Sequence, residues 1–304
     1  MNKPILSLQG VVKDYQKKRA VDHVSFDVPT GSIYGLLGPN GAGKTSLIRI
    51  ITTITRADEG RVLLGGEPID ARTPERIGYM PEERGLYKKM AVGEQLMYLA
   101  QLKGLSAKEA RTRIRHWFDR FEIADWWDKK IQELSKGMQQ KVQFIATVMH
   151  EPKLLILDEP FSGLDPVNTN LIKSEIREIN KRGTSIIFST HRMEQVEEIC
   201  EYITLISNGK NILTGKLDAV KQEHKNNVYQ IAYDGQLPTD LATVDAADSR
   251  WSVLESSPGS LTVRVDNDQA SNEVLRYLIG QRIHIRSFHE VLPTLNEIFI
   301  KLVS

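Results

Sequence analysis

Apolar side chains in this 304-residue chain gather in short unbroken runs. SIYGLLG (Ser32–Gly38), the LLIL of KLLILDEP (Lys153–Pro160) and the IIF of TSIIFSTH (Thr184–His191) lack polar alternation. Such runs predict strands buried on both faces, as in the middle of a parallel sheet. Elsewhere the period lengthens. SLIRIITTI places Leu47, Ile48, Ile50, Ile51 and Ile54 at the spacing of one helix face, and KGMQQKVQFIATVM does so with Val142, Ile145, Ala146 and Met149. The alternation predicts an α/β core over residues 1–218, interrupted by a mostly helical stretch at about 86–150. Beyond Gly215 the texture changes. KLDAVKQEHKNN is a polar helix or linker, and NVYQIAYD, RWSVLES and SLTVRVD alternate with period two. SNEVLRYLIG reads as a helix ended by Gly280, QRIHIRSF as a fourth strand, and PTLNEIFIKLV as a last helix with Pro293 near its first position. Residues 219–304 are therefore expected to form a small α+β domain.

Between the first buried strand and its helix lies GPNGAGKTS, Gly38 to Ser46. Glycine is costly in ordered structure, so three in six residues need a reason. A tight loop opening a helix presents free backbone N–H groups at a partially positive helix end, which suits a polyphosphate. Gly38, Gly43, Lys44 and Thr45 satisfy G-x-x-x-x-G-K-[ST], in which the lysine reaches the β- and γ-phosphates and the hydroxyl ligates Mg²⁺. The second buried run ends in Asp158 and Glu159. Two carboxylates at the mouth of a buried strand need a cation, and Mg²⁺ on a nucleotide supplies one. Asp158 would hold the metal and Glu159 would act as general base on water. His191 follows the third buried run, at the strand end where ligands of open α/β sheets gather, within reach of a γ-phosphate. Ser135 is a plausible N-cap for the helix that follows it.

Composition narrows the classes. Lys plus Arg is 40 against 39 Asp plus Glu, so no global charge points to nucleic acid. The lone Cys200, in VEEIC, excludes an intramolecular disulfide and reads as a small core residue. No apolar stretch approaches the ~20 residues that cross a bilayer, and MNKPILSLQG lacks the apolar core of a signal peptide. The expectation is a cytoplasmic chain whose membrane partner, if it has one, supplies the spanning helices. Trp117, Trp126 and Trp127 either face such a partner or pack within the helical stretch, and Arg111, Arg113 and Arg115, two residues apart, read as solvated. His284 and His289 lie on different tail segments and read as surface residues.

With these motifs in this order, residues 4–218 resemble the ATP-binding subunits of ABC transporters. GPNGAGKT (Gly38, Pro39, Asn40, Gly41, Ala42, Gly43, Lys44, Thr45) resembles their Walker A loop, continuing into Ser46, and LLILDEP resembles Walker B with its catalytic glutamate. SGLD, ending in Asp165, resembles the D-loop, and His191 the switch histidine. LSKGM, with Ser135, Lys136, Gly137 and Met138, resembles the signature motif usually written LSGGQ. Tyr15 stands where the family places an aromatic that stacks on adenine. Two departures matter. Lys136 and Met138 replace the commoner Gly and Gln, and Glu82, in IGYMPEERGLYKKM, occupies the position of the Q-loop glutamine. A carboxylate there adds negative charge beside Asp158 and Glu159, and is expected among the ATP and Mg²⁺ contacts. The run PEERGLY, like the tail, resembles exporters of the sodium-extrusion and peptide-antibiotic-resistance type.

The resemblance implies an ABC-type P-loop ATPase core with a helical subdomain, binding ATP and Mg²⁺ and powering export through a separate transmembrane permease. It implies a second ATP-binding subunit, most simply a second copy, whose signature residues act in trans, and a place on the inner face of the cell membrane. A soluble ABC-type ATPase acting on ribosomes or DNA is the alternative, yet such chains usually carry two cassettes, long heptad insertions or zinc cysteines. No nucleic acid is expected here. A nucleotide-gated regulatory module with negligible turnover is the third reading, opposed by Glu159 and kept open by Glu82. The tail carries no readable chemistry, and regulation, dimer stabilisation and partner docking all remain open for it.

Overall fold

The computed structural model describes residues 3–16, 18–83, 85–237, 250–267 and 270–303. They form two compact units, Met1–Leu217 and Asp218–Ser304. Arg84, within the PEERGLY run, lies outside the described residues.

In the first unit, strand Ile33–Leu37 lies between Tyr202–Ser207 and Ser185–Thr190. Leu154–Asp158 follows, then Ile77–Met80, all parallel. Lys210–Lys216 closes the other edge antiparallel. Every residue of Ile33–Leu37, Leu154–Asp158 and Ser185–Thr190 is buried, which is why these runs show no alternation. Parallel pairing brings the residues that follow Leu37, Asp158 and Thr190 to one edge of the sheet. A second, antiparallel sheet runs in the order Lys18–Pro29, Pro4–Tyr15, Glu59–Leu64, Glu67–Pro68. The helix Lys44–Ile51 buries Leu47, Ile48, Ile50 and Ile51 in a core with Leu6, Val24 and Ile187. Ile54 is not part of that face. The helix stops at Ile51, Thr53 turns to φ 61°, and Ile54 is 63% exposed.

The expected helical stretch contains Val92–Leu102, Ala107–Arg120 and Lys136–Val148. Ser106 starts the second with a capping box to Glu109. Trp117 is buried, stacked on Phe121 at 5.6 Å and edge-on to Phe144 at 6.0 Å. Trp127 packs edge-on to Phe118 at 5.7 Å. These two aromatics thus serve internal packing, and Trp126 is half-buried. Two of the three arginines are engaged: the Arg111 guanidinium lies 5.6 Å from the Trp127 ring centroid, and Arg113 donates to the Met149 carbonyl at 3.1 Å. Arg115 is exposed.

In the second unit, four antiparallel strands run Trp251–Ser257, Ser260–Val265, Val228–Asp234, His284–Val291. Helix Ser271–Gly280 buries Val274 and Leu278 in a core with Ile231, Leu261 and Val263. Leu217–Glu223 leads into this unit as a helix. Helix Ser271–Gly280 ends at Gly280, as the sequence implied, and Arg282, at φ 60°, takes the left-handed turn beyond it. Pro293 precedes the last helix, Leu295–Val303, which Thr294 caps by accepting from the Glu297 N–H at 3.2 Å.

Gly93 carries a packing constraint. A Cβ there would lie 2.4 Å from Cε2 of Trp127. Gly93→Ala is expected to destabilise the chain by about 1–3 kcal/mol through overpacking, while Gly85→Ala, in open space, changes little; urea midpoints measure both.

Candidate active site

The loop after Leu37 needs its glycines. Gly38, Gly41 and Gly43 have φ of 149°, 78° and 112°. A Cβ on Gly43 would lie 2.3 Å from the Ala20 carbonyl oxygen, and one on Gly38 2.1 Å from that of Ile206. Lys44 is buried, and its ammonium donates to the carbonyls of Gly38 at 2.7 Å and Pro39 at 3.1 Å. Burial lowers its pKa, and Glu159, Asp158 and Glu82 oppose that shift with their charges. Thr45 is exposed beside it. A cleft of about 240 Å³ is lined by Asn40 through Ser46, by Lys18 and Ala20, and by Glu82, Asp158 and Glu159. Pro39 takes part through its carbonyl.

The two carboxylates at the end of Leu154–Asp158 differ in surroundings. Asp158 is buried, with Oδ1 accepting from Ser189 Oγ at 2.8 Å. Burial pushes its pKa up, the charges of Glu159 and Glu82 add to that, and Ser189 and Lys44 act against it. Glu159 sits in a left-handed backbone, φ 49°, with its N–H donated to the Ser189 carbonyl at 2.9 Å. Its carboxylate accepts from the His191 N–H at 2.9 Å and from Thr190 Oγ1 at 3.0 Å, and His191 Nδ1 lies 2.6 Å from Oε1. The sequence reading aimed His191 at a γ-phosphate. Here its ring faces Glu159, and Nε2 has no hydrogen bond among the described residues.

Glu82 is exposed and lines three clefts. One holds the loop, one of about 600 Å³ holds Tyr15, Thr45 and Arg49, and one of about 720 Å³ holds Lys136, Ser162 and Gly163. Tyr15 is 41% exposed, with the Lys13 ammonium 5.6 Å from its ring centroid. It lines the second cleft beside Thr45, not the loop cleft itself. Ser135 caps the helix Lys136–Val148, accepting from the Met138 N–H at 3.3 Å. Asp165 likewise caps Pro166–Lys181, accepting from the Asn168 N–H at 2.9 Å. None of Ser135, Lys136, Gly137 and Met138 lines the loop cleft. Gly137 has room for a side chain, since the nearest atom to an added Cβ is Leu164 Cδ2 at 3.8 Å.

Several residues escaped the sequence reading. Ser189 and Thr190 bond Asp158 and Glu159; two hydroxyls closing an apolar run just before His191 were the available signal. Gln140 and Gln143, both buried, donate to the carbonyls of Pro160 at 2.9 Å and Pro81 at 2.8 Å. They tie one helix to the turns that carry Glu159 and Glu82.

The chain is similar to known proteins along nearly its whole length. The family described as ABC transporter matches residues 21–162, and the one described as ATP-binding protein DrrA1-3-like, C-terminal domain, matches residues 215–303. The uncharacterised ABC transporter ATP-binding protein YhaQ of Bacillus subtilis (strain 168) is 42% identical over 299 residues, 98% of each chain. The chain belongs to the ABC transporter ATP-binding proteins. The linearmycin resistance ATP-binding protein LnrL of the same organism is 31% identical over 307 residues, again 98% of each chain. A solved structure titled as the ATP binding subunit of an ABC transporter aligns with a TM-score of 0.68 and 29% identity. That alignment covers 72% of this chain and 92% of the other.

ABC ATP-binding proteins bind ATP and hydrolyse it to drive transport, and they typically dimerise and work with transmembrane partners. Among the described residues no helix is long and apolar enough to cross a membrane. Nor does any group of three or more His, Cys, Asp and Glu side chains form a metal cage there. The hydroxyl of Thr45 with the carboxylate of Asp158, beside a cleft sized for phosphates, instead fits Mg²⁺, which is held by one or two protein oxygens plus substrate phosphates and water.

The raised pKa of Asp158 means that folding disfavours its charged form. Its ionisation costs stability at neutral pH, and the cost disappears once the pH is low enough to protonate the unfolded state as well. Asp158→Asn is therefore expected to raise the melting temperature of the nucleotide-free protein at neutral pH. The gain should shrink as the pH falls through the ordinary carboxylate range, as thermal melts across pH will measure.

Proposed function

We propose that this chain is the ATP-hydrolysing subunit of an exporter, working on the inner face of the cell membrane beneath a separate transmembrane permease. The observation that carries the catalytic part is Glu159, anchored by Thr190 and His191 at the rim of the loop cleft. Export is supported by the similarity, over nearly the whole chain, to a protein named for linearmycin resistance.

In this reading the amides of Gly38 to Ser46 (Pro39 excepted, which has none) cradle the phosphates. Lys44 exchanges its carbonyl contacts for β- and γ-phosphate oxygens. Thr45 and Asp158 would hold Mg²⁺, with Glu82 as a further oxygen donor, and the ion would supply neutralising charge along the phosphates. Glu159 takes the proton of the attacking water. His191, oriented through Nδ1, donates from Nε2 to the γ-phosphate when both ring nitrogens carry a proton, which reconciles its contact with Glu159 and its expected role. Tyr15 stacks on adenine. Residues 219–304 form an accessory domain apart from the chemistry.

Two copies complete the site. Ser135, Lys136, Gly137 and Met138 lie outside the loop cleft of their own chain, and Gly137 is a glycine without an internal steric reason. A second copy would bring these residues and Asp165 against the ATP held by the first, where only a bare backbone fits.

Three outcomes are expected. Glu159→Gln keeps ATP affinity, slows turnover by about 10²–10⁴-fold, and runs as a dimer with Mg-ATP on size exclusion; a monomer hydrolysing at the parent rate contradicts the reading. Tyr15→Ala loses roughly 1–3 kcal/mol of nucleotide binding, the scale of base–aromatic stacking, in a calorimetric titration. Gly137→Ala leaves the melting temperature unchanged yet lowers turnover, which separates a trans contact from a structural glycine.

A further inference from the structure

A further cleft, of about 780 Å³, lies in the first unit at the opposite ends of the elements that carry the active site. Val148 and Met149 at its wall end the helix that begins with the signature residues. Pro152 and Lys153 precede the strand that ends in Asp158. Thr184 and Ser185 open the strand that ends in Thr190. Ile179 and Arg182 stand at the end of the helix capped by Asp165. Further wall comes from Ala107–Arg120, through Thr112, Arg113, His116 and Trp117, and from Ile5 and Thr30. The cleft therefore touches the far ends of four elements whose near ends bear the site residues.

Its chemistry is one-sided. Ile5, Val148, Met149, Ile179 and the Trp117 indole supply an apolar interior. Glu151 is the one carboxylate among the lining residues, and Arg113 bridges it at 3.2 Å while donating to the Met149 carbonyl. Lys153 and Arg182 form no ion pair among the described residues; Arg182 lies near Glu178, whose own carboxylate is bridged by Lys181 at 2.7 Å. The His116 ring stands edge-on to Trp117 at 6.1 Å. Fully buried Ser185 forms part of the floor, its oxygen accepting from the Gly31 N–H at 2.8 Å. The volume falls within the range of small-molecule sites, about 300–1,000 Å³. An apolar body with one anionic group matches this lining, because Lys153 and Arg182 form no ion pair among the described residues while the acid already has one.

We propose that this cleft is an effector site for a small amphipathic anion, and that its occupancy alters ATP turnover. A guest bridging Ala107–Arg120 to the ends of the core strands favours one relative position of these elements. A ligand with different affinities for two such positions shifts their balance, and with it the placing of signature and carboxylates at the other ends.

Anilinonaphthalene sulfonate, an aromatic body with one negative charge, serves as the probe on the full chain, with uncharged N-phenylnaphthylamine as its control. Saturable one-to-one fluorescence binding is expected, with the uncharged control weaker by about tenfold or more. The double variant Lys153→Glu/Arg182→Glu should weaken binding by a similar factor, and Thr112→Trp, which fills the cleft from its exposed side, should abolish it. Both variants should retain parent ATP affinity, which establishes that they fold. Saturating probe should change ATP turnover in the parent and leave Thr112→Trp unaffected. Non-saturable binding, equal affinity for the uncharged control, parent-like binding by the variants, or turnover indifferent to the probe would each overturn the proposal.

Discussion

The site is organised around one buried ammonium. Lys44 sits within the loop it helps to form, and its solvation is replaced by two carbonyls and by the field of Asp158, Glu159 and Glu82. Lysine and aspartate both titrate as burial dictates, the lysine lowered and Asp158 raised. Neither group is fully compensated by the other. That residual cost is what a polyphosphate with its metal can relieve, since it brings anions to the lysine and a cation to the carboxylates.

Holding those charges together depends on the backbone around them. Parallel pairing of Ile33–Leu37, Ser185–Thr190 and Leu154–Asp158 aligns three strand ends at one edge. The loop reaches that edge only because Gly38 and Gly43 let it pass Ile206 and Ala20 without a side chain. Glu159 accepts a left-handed backbone, which turns its carboxylate back over Thr190 and His191. Such strain is of order 1–3 kcal/mol for a non-glycine residue, and the hydrogen bonds of its carboxylate and backbone hold the residue there.

Much of this was legible in the chain itself. Unbroken apolar runs marked the buried strands, and the glycine spacing with Lys44 and Thr45 marked the loop, because both follow from local constraints. What failed was also physical. Ile54 keeps the helical period but lies beyond the last helical turn, and a periodic pattern cannot see where hydrogen bonding stops. Pro293 looked like the start of the last helix, yet Thr294 caps it and the helix begins at Leu295. Gln140 and Gln143 look like solvent-facing polar residues on an amphipathic helix. They are buried because two carbonyls, Pro160 and Pro81, arrive from distant parts of the chain, and no spacing encodes that. The orientation of His191 depends likewise on a partner more than thirty residues away.

The central claim is that each ATP is closed between the loop of one copy and the signature turn of another. Subunit mixing tests it most directly. Lys44→Ala disables the loop and Gly137→Asp disables the signature turn, so each variant alone should be inactive. Mixed, they form dimers in which one site joins an intact loop to an intact signature turn. The account predicts that mixing restores ATP turnover well above the sum of the separate variants. A mixture no more active than that sum, with mixed dimers verified by differential tags, would contradict it.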